Sequence, residues 1–153
     1  MDIRKTVERL CRRHQTRDPL QICREKGIVV LFEPLGTVRG YYSCSHRHKV
    51  IHINQDLDEQ QMRFTCCHEL GHALLHPKAN TPFLRANTLF SINRLEVEAN
   101  RFALCMLYPP DFLQREFEGC SLPQLAESLK LPPELAEFLW KEQEKEPHFK
   151  RNS

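Results

Sequence analysis

Hydrophobic residues along this chain fall into blocks whose spacing changes from helical to strand-like and back. Ile3, Val7 and Leu10 recur at three- and four-residue steps, which predicts a first helix over roughly Ile3 to His14. In "RDPLQICREKGIVV", Asp18 has the chemistry of an N-cap, Pro19 suits the first helical position and Gly27 marks the stop. "GIVVLFEPL" is a β-branched apolar run of strand type, and "GYYSCS" and "KVIHIN" predict two more strands joined by a turn near "HRHK". Asp56 and Glu59 stand at capping-box spacing before a helix expected to run to about His76, with Pro77 as its terminator. "KANTPFLRANTLFSIN" has no clear period and is expected to be a long connection, bordering a cleft between Pro77 and Asn93. A further helix is predicted from near Leu95 to just before "YPP" at Tyr108 to Pro110. "SLPQLAESLK" and "PPELAEFLWKEQEKE" predict two shorter helices, and "PHFKRNS" a frayed tail. No repeat or internal boundary is visible, so residues 1–153 are expected to form one domain, with the helices from about 121 packed on it.

Composition narrows the class without naming it. A chain of 153 residues suits a single core, and 41% hydrophobic with 27% charged residues is ordinary for a soluble protein. The net charge of +2 gives no strong pull toward nucleic acid or an anionic membrane. No apolar run approaches the roughly 18 residues that span a bilayer, and "MDIRKTVERLCRRH" lacks the apolar segment of a secretory signal. The seven cysteines (Cys11, Cys23, Cys44, Cys66, Cys67, Cys105 and Cys120) are odd in number and form no CxxC, which argues against a closed disulfide set or a zinc ribbon. Scattered thiols without a signal point to a reducing cytoplasm. Cys66 and Cys67, adjacent on a predicted helix, read as core.

The chemistry sits in "FTCCHELGHALLHP", Phe64 to Pro77. Wound at about 100° per residue, Met62 to His76 place apolar and small residues over most of the circumference. The remainder is one stripe of Thr65, His68, Glu69, His72 and His76, with Arg63 near the solvent-facing first turns. Buried polar groups without partners are expensive, so the stripe asks for a compensating ligand. His68 and His72, at i and i+4, converge on one point and supply two neutral imidazoles suited to Zn²⁺. Glu69 completes HExxH. It need not bind the ion, and can instead accept the proton of a water that the metal acidifies.

A third protein ligand is required. The metzincin pattern fails, because Leu75 and Lys78 stand where its glycine and last histidine would be. A glutamate from a later helix is the alternative. In "LEVEANRFALCML", Glu96 falls inside the apolar arc of Leu95, Ala99, Phe102 and Met106, whereas Glu98 falls near Arg101 on what reads as a solvated face. Glu96 is therefore the expected third ligand. Asn100, one turn on, can hydrogen-bond a ligand from outside the metal's own shell.

"FTCCHELGHALLH" followed by "LEVEANRFALCMLYP" resembles the ImmA/IrrE family of metallo-endopeptidases. The upstream "GIVV…GYY…VIHIN" and the C-terminal "LAESLKLPPELAEFL" are similar too, so the resemblance spans most of the chain. HExxH is modest as a signal on its own; combined with ExExANxFA at this distance it is specific. The resemblance implies one Zn²⁺ per chain held by His68, His72 and Glu96, with Glu69 as the catalytic base. It further implies a protein substrate, a helix-turn-helix repressor of a mobile element or stress response. "MLYPP" departs from the pattern, in which an aliphatic residue usually precedes the proline.

The remaining signals are secondary. His76 extends the stripe and is a candidate cleft residue, though a helix C-terminal cap is the simpler role. Tyr41 and Tyr42 alternate across a strand, so one of them is a candidate to face the cleft and steady an oxyanion. Cys44, His46 and His48 match no metal spacing and read as a polar hairpin turn. The acidic "PPELAEFLWKEQEKE" would be repelled by phosphate, so direct nucleic-acid binding is not expected. The expected fold is α+β, a minimal thermolysin-like zincin. A small antiparallel or mixed sheet lies over the active-site helix, and helices follow at the C-terminus. The expected activity is zinc-dependent peptide-bond hydrolysis. Two other classes fit the same residues: a non-cleaving antirepressor module, and a small-molecule amide hydrolase.

Overall fold

The computed structural model describes residues 1–81 and 89–144, with backbone only over 89–93 and at 143. Two compact units divide the chain, Met1–Met106 and Leu107–Ser153. The architecture is the expected α+β, with seven helices and a three-stranded sheet among the described residues.

The first unit begins with α1 (Ile3–His14), whose bounds match the periodicity, and α2 (Pro19–Glu25). Asp2 caps α1 by accepting from the Lys5 amide, and Asp18 caps α2 through the Leu20 amide, with Pro19 in the first turn as predicted. Strands β1 (Val29–Glu33), β2 (Gly40–Ser45) and β3 (His48–Asn54) follow. Their order is β1-β3-β2. β2 pairs antiparallel to β3, with Tyr42 opposite Ile51, while β1 pairs parallel to β3, so the sheet is mixed. The β2–β3 hairpin closes on His46 and Arg47, both at positive φ (50° and 68°). That is the left-handed pair a two-residue hairpin needs, here without glycine. "SCSHRHK" is thus a turn.

Helix α3 (Glu59–Leu75) lies against β2 and β3. Its capping box is Asp58 with Gln61, two residues beyond the expected Asp56 and Glu59. The Asp56 amide instead donates to Asn54 Oδ1, inside the turn that precedes the helix. Tyr42, Ile51 and Ile53 from the sheet, and Cys66, Cys67, Leu70 and Ala73 from α3, are fully buried. Burial of each large side chain contributes about 1.5–3 kcal/mol. Two glycines allow close approach. A Cβ on Gly40 would lie 2.7 Å from the His52 carbonyl and from Thr65 Cγ2, so only glycine lets β2 pass this near α3. A Cβ on Gly71 would lie 3.1 Å from Phe102, which sets the contact with the next helix.

That helix, α4 (Leu89–Leu107), starts six residues before the expected Leu95, so part of the predicted connection is helical. The stretch 82–88 of that connection lies outside the described residues, as does the expected frayed tail. The C-terminal carbonyls of α4 are held by two arginines from the start of the chain. Arg4 Nη1 donates to Cys105 O at 3.2 Å, and Arg17 donates to Cys105 O at 2.5 Å and Met106 O at 3.0 Å. Glu8 in turn accepts two bonds from Arg17, at 2.9 and 3.0 Å. Cationic groups at a helix C-terminus satisfy its orphan carbonyls and oppose its dipole.

The second unit contains α5 (Phe112–Glu116), α6 (Leu122–Leu129) and α7 (Pro133–Glu144). The short α5 carries too few residues for a periodic signal and was not predicted. Leu113, Leu125 and Leu139 form the core, with Tyr108, Phe112, Phe117 and Trp140 packed around them. Ser121 and Gln124 form a complete capping box at the start of α6.

Candidate metal centre

HExxH lies in the second half of α3, where the helix is buried. His68 is 8% exposed, Glu69 2% and His72 0%. One helical turn separates the two imidazoles, whose ring centres are 4.8 Å apart and nearly perpendicular. Glu96, on α4, meets both. Its Oε2 lies 2.9 Å from His68 Nε2 and its Oε1 3.1 Å from His72 Nε2. Ligand atoms of His68, His72 and Glu96 all fall within 4.8 Å of one another, the only such group of three among the described residues. Two imidazole nitrogens and one carboxylate oxygen at this separation fit a divalent cation of the zinc type, with room for a further ligand.

The electrostatics follow from depth. Burial opposes charge on His68, but Glu96, Glu69 and Asn100 outweigh it and lift the ring above the ordinary imidazole value. His72 bonds the same carboxylate yet moves the other way. Burial disfavours its charge, its His68 and His76 neighbours add to that, and it lacks the support that Glu69 and Asn100 give His68. Burial alone would raise Glu96; the two imidazoles hold it far below the carboxylate range.

Each histidine is also held from behind. His68 Nδ1 lies 2.8 Å from Asn100 Oδ1. His72 Nδ1 lies 3.1 Å from His76 Nδ1, and His76 Nε2 lies 2.9 Å from Glu98 Oε2. Glu98 is thus not the solvated acid the helical wheel suggested: α4 runs alongside the end of α3, and that neighbour is invisible from the wheel of α4 alone. His76 is the C-cap of α3, and both its ring nitrogens are engaged away from the cleft.

A cavity of about 420 Å³ opens over His68, Glu69, Glu96 and Asn100. Its other wall is the segment Thr37 to Gly40, with Phe64 and Thr65 from α3. Thr65 is visible in the polar stripe and Gly40 opens the predicted strand "GYYSCS"; residues 37–39 carry no sequence signal. Neither Tyr41 nor Tyr42 lines this cavity. Tyr42 is fully buried beneath the sheet and donates its hydroxyl to the Pro77 carbonyl at 2.6 Å. Tyr41, on the opposite face, stacks on His52 at 4.1 Å. Strand alternation separates two faces but does not say which one meets a cleft.

The family model of the IrrE N-terminal-like domain, a peptidase family, matches residues 23–140. An "Uncharacterized immunity region protein 2" of Bacillus phage phi105 is 38% identical over 137 residues, covering 88% of this chain and 86% of the phage protein. "Metallopeptidase ImmA" of Bacillus subtilis (strain 168) is 28% identical over 141 residues, covering 89% and 82%. Among solved structures, a "Mycobacterium tuberculosis transcriptional regulator" shares the fold, with a TM-score of 0.60 at 17% identity over 95% of this chain. The chain spans about half of that structure, 48% of its length. Matched by the family model over residues 23–140 and by these relatives over most of its length, the chain belongs to the ImmA/IrrE family of metallopeptidases.

Proposed function

We propose that the chain is a zinc endopeptidase that cuts a protein regulator, a helix-turn-helix transcriptional repressor. The observation that carries this reading is the convergence of His68, His72 and Glu96 within 4.8 Å, with buried Glu69 on the same cavity wall. His68 Nε2, His72 Nε2 and one Glu96 oxygen would hold one Zn²⁺. Bound zinc would supply Lewis acidity toward a scissile carbonyl and acidify a water.

The chain's own groups do the rest. Glu69 takes a proton at its carboxylate and passes it to the leaving amine. Its burial keeps bulk water from competing for that transfer. Gly40 presents main chain to the substrate. The Asn54 amide donates to Arg39 O at 2.8 Å, so Arg39 faces β3 and the next residue, Gly40, faces away, toward the cavity. An extended peptide could pair there, main chain to main chain. Further along the same edge, Thr81 and Asn80 side chains accept from the Tyr42 and Cys44 amides at 3.1 and 2.9 Å. Pairing is thereby confined to the end of β2 nearest Glu69. The repressor class follows from the family resemblance, and the phage relative's designation as an immunity region protein agrees with it.

The test is Glu69→Gln, which leaves the three ligands in place. Co-expressed with candidate helix-turn-helix repressors, the wild type should cleave one of them, and the variant should cut it at least 10²-fold more slowly. Zinc content should stay at one ion per chain. If the variant relieves repression as well as the wild type, the chain sequesters its target and does not cut it.

A further inference from the structure

We propose that Glu98 and His76 form a relay that locks the ring of His72 for the metal, making both positioning residues of the centre. The inference rests on the zinc reading above and adds a part that HExxH does not contain.

The argument is one of hydrogen placement. For His72 to offer Nε2 to an ion beside Glu96, its proton must sit on Nδ1. That Nδ1 is inside a residue with no exposed surface, and an unmet donor there would cost about 1–3 kcal/mol. Its neighbour at 3.1 Å is His76 Nδ1, which must therefore accept. The proton of His76 is then on Nε2, 2.9 Å from Glu98 Oε2. Every tautomer in the chain of three is set by the metal at one end and the carboxylate at the other. Arg94 Nε, 3.2 Å from the second Glu98 oxygen, steadies that carboxylate.

The arrangement is asymmetric. His68 is held by a neutral amide, Asn100, whereas His72 is held through an imidazole that ends on an anion. The carboxylate draws the proton of His76 toward itself, which makes His76 Nδ1 a better acceptor and His72 Nε2 a better donor to the ion. The relay also ties the last turn of α3 to α4 at a point separate from Glu96. With both its nitrogens engaged, His76 is not a fourth ligand, and the position a water needs stays open.

The experiment measures the Zn²⁺ affinity of the full chain by competition with a chromophoric chelator, for the wild type, His76→Leu, His76→Asn, Glu98→Ala and the His76→Leu/Glu98→Ala double variant. Metal-free melting is recorded beside each. His76→Leu should bind zinc 10–100-fold more weakly. His76→Asn, whose Oδ1 can still accept from His72, should recover most of that loss. Glu98→Ala should weaken binding several-fold. Because the two act in series, the double variant should be no weaker than His76→Leu alone. The Co²⁺-loaded variants should keep the visible absorption of the wild type, since no ligand is lost.

Unchanged zinc affinity in Glu98→Ala overturns the relay, and does so even if His76→Leu fails to fold. An altered cobalt spectrum in His76→Asn also overturns it, by making His76 a ligand. If the wild type takes up no zinc, the proposed function falls and the relay with it. If the wild type binds zinc and the variants bind it equally well, only the relay falls.

Discussion

His68 Nδ1 and Asn100 Oδ1 lie 2.8 Å apart across the contact between α3 and α4. With Oδ1 as acceptor, the proton of His68 sits on Nδ1, which on the proposed zinc reading would leave Nε2 for the ion. Asn100→Ala should reduce zinc affinity by about tenfold or more, while Asn100→Asp, which keeps the acceptor, should retain or strengthen it. Chelator competition on the two variants checks this. Equal affinities would show that the ring holds its pose without Asn100.

Zinc uptake should displace a proton from His68 at pH values below its raised value. Glu96, Glu69 and Asn100 together hold His68 above the usual imidazole value, against its burial, so the metal-free ring is protonated up to that raised value and must lose the proton when Nε2 takes the ion. Above it His68 adds no pH dependence; below it His68 makes affinity fall by up to about tenfold per pH unit. His72 is held below the usual value, so its contribution begins only at more acid pH. Calorimetry in buffers of different ionisation enthalpy counts the protons released. No proton release well below the raised value would contradict the assignment.

The helix contact at Gly71 should tolerate little. A methyl there meets Phe102 Cβ, Cγ and Cδ1 at 3.1 Å, and Phe102 is fully buried. Overpacking costs about 1–3 kcal/mol, whereas alanine in place of glycine returns about 1 kcal/mol of helix propensity. Gly71→Ala should therefore be near neutral to mildly destabilising, and Gly71→Val should lose about 2 kcal/mol or more. Because the ligands stand on both helices, Gly71→Val should also weaken zinc binding. Denaturant unfolding and metal competition report the two effects separately.

The cysteines should divide by reactivity. Cys11, Cys23, Cys66, Cys67 and Cys105 are buried, and Cys44 and Cys120 are partly exposed. Burial lifts the Cys11 and Cys67 thiols, and contact with the Cys23 sulfur and then burial lift Cys66, so the reactive thiolate is scarce. Alkylation of the native protein at pH 8, followed by mass spectrometry, should label Cys44 and Cys120 first. Labelling of Cys66 at the same rate would place it outside the core.

Local pattern reached far into this protein. The bounds of α1, the Asp18–Pro19 start of α2 and the three strands are all readable from periodicity and capping chemistry, because those features depend on near neighbours in the chain. The parallel pairing of β1 with β3 is not readable that way, since it depends on where α2 delivers β1. α4 starts earlier than its periodicity predicts, because "LFSIN" has helix-compatible residues but no amphipathic period to reveal them.

The amino-acid order alone determined that His68 and His72 share one face of a buried helix with Glu69 beside them, and that Glu96 lies on an apolar arc. Both statements follow from the 100° step of a helix, which any sequence carries within itself. Only the tertiary structure decided that one Glu96 carboxylate meets both rings, that Glu98 turns to His76, and that the segment from Thr37 to Gly40 walls the cleft while Tyr41 and Tyr42 do not. These relations join residues whose distance is set by how elements pack against one another, and no spacing along the chain encodes that.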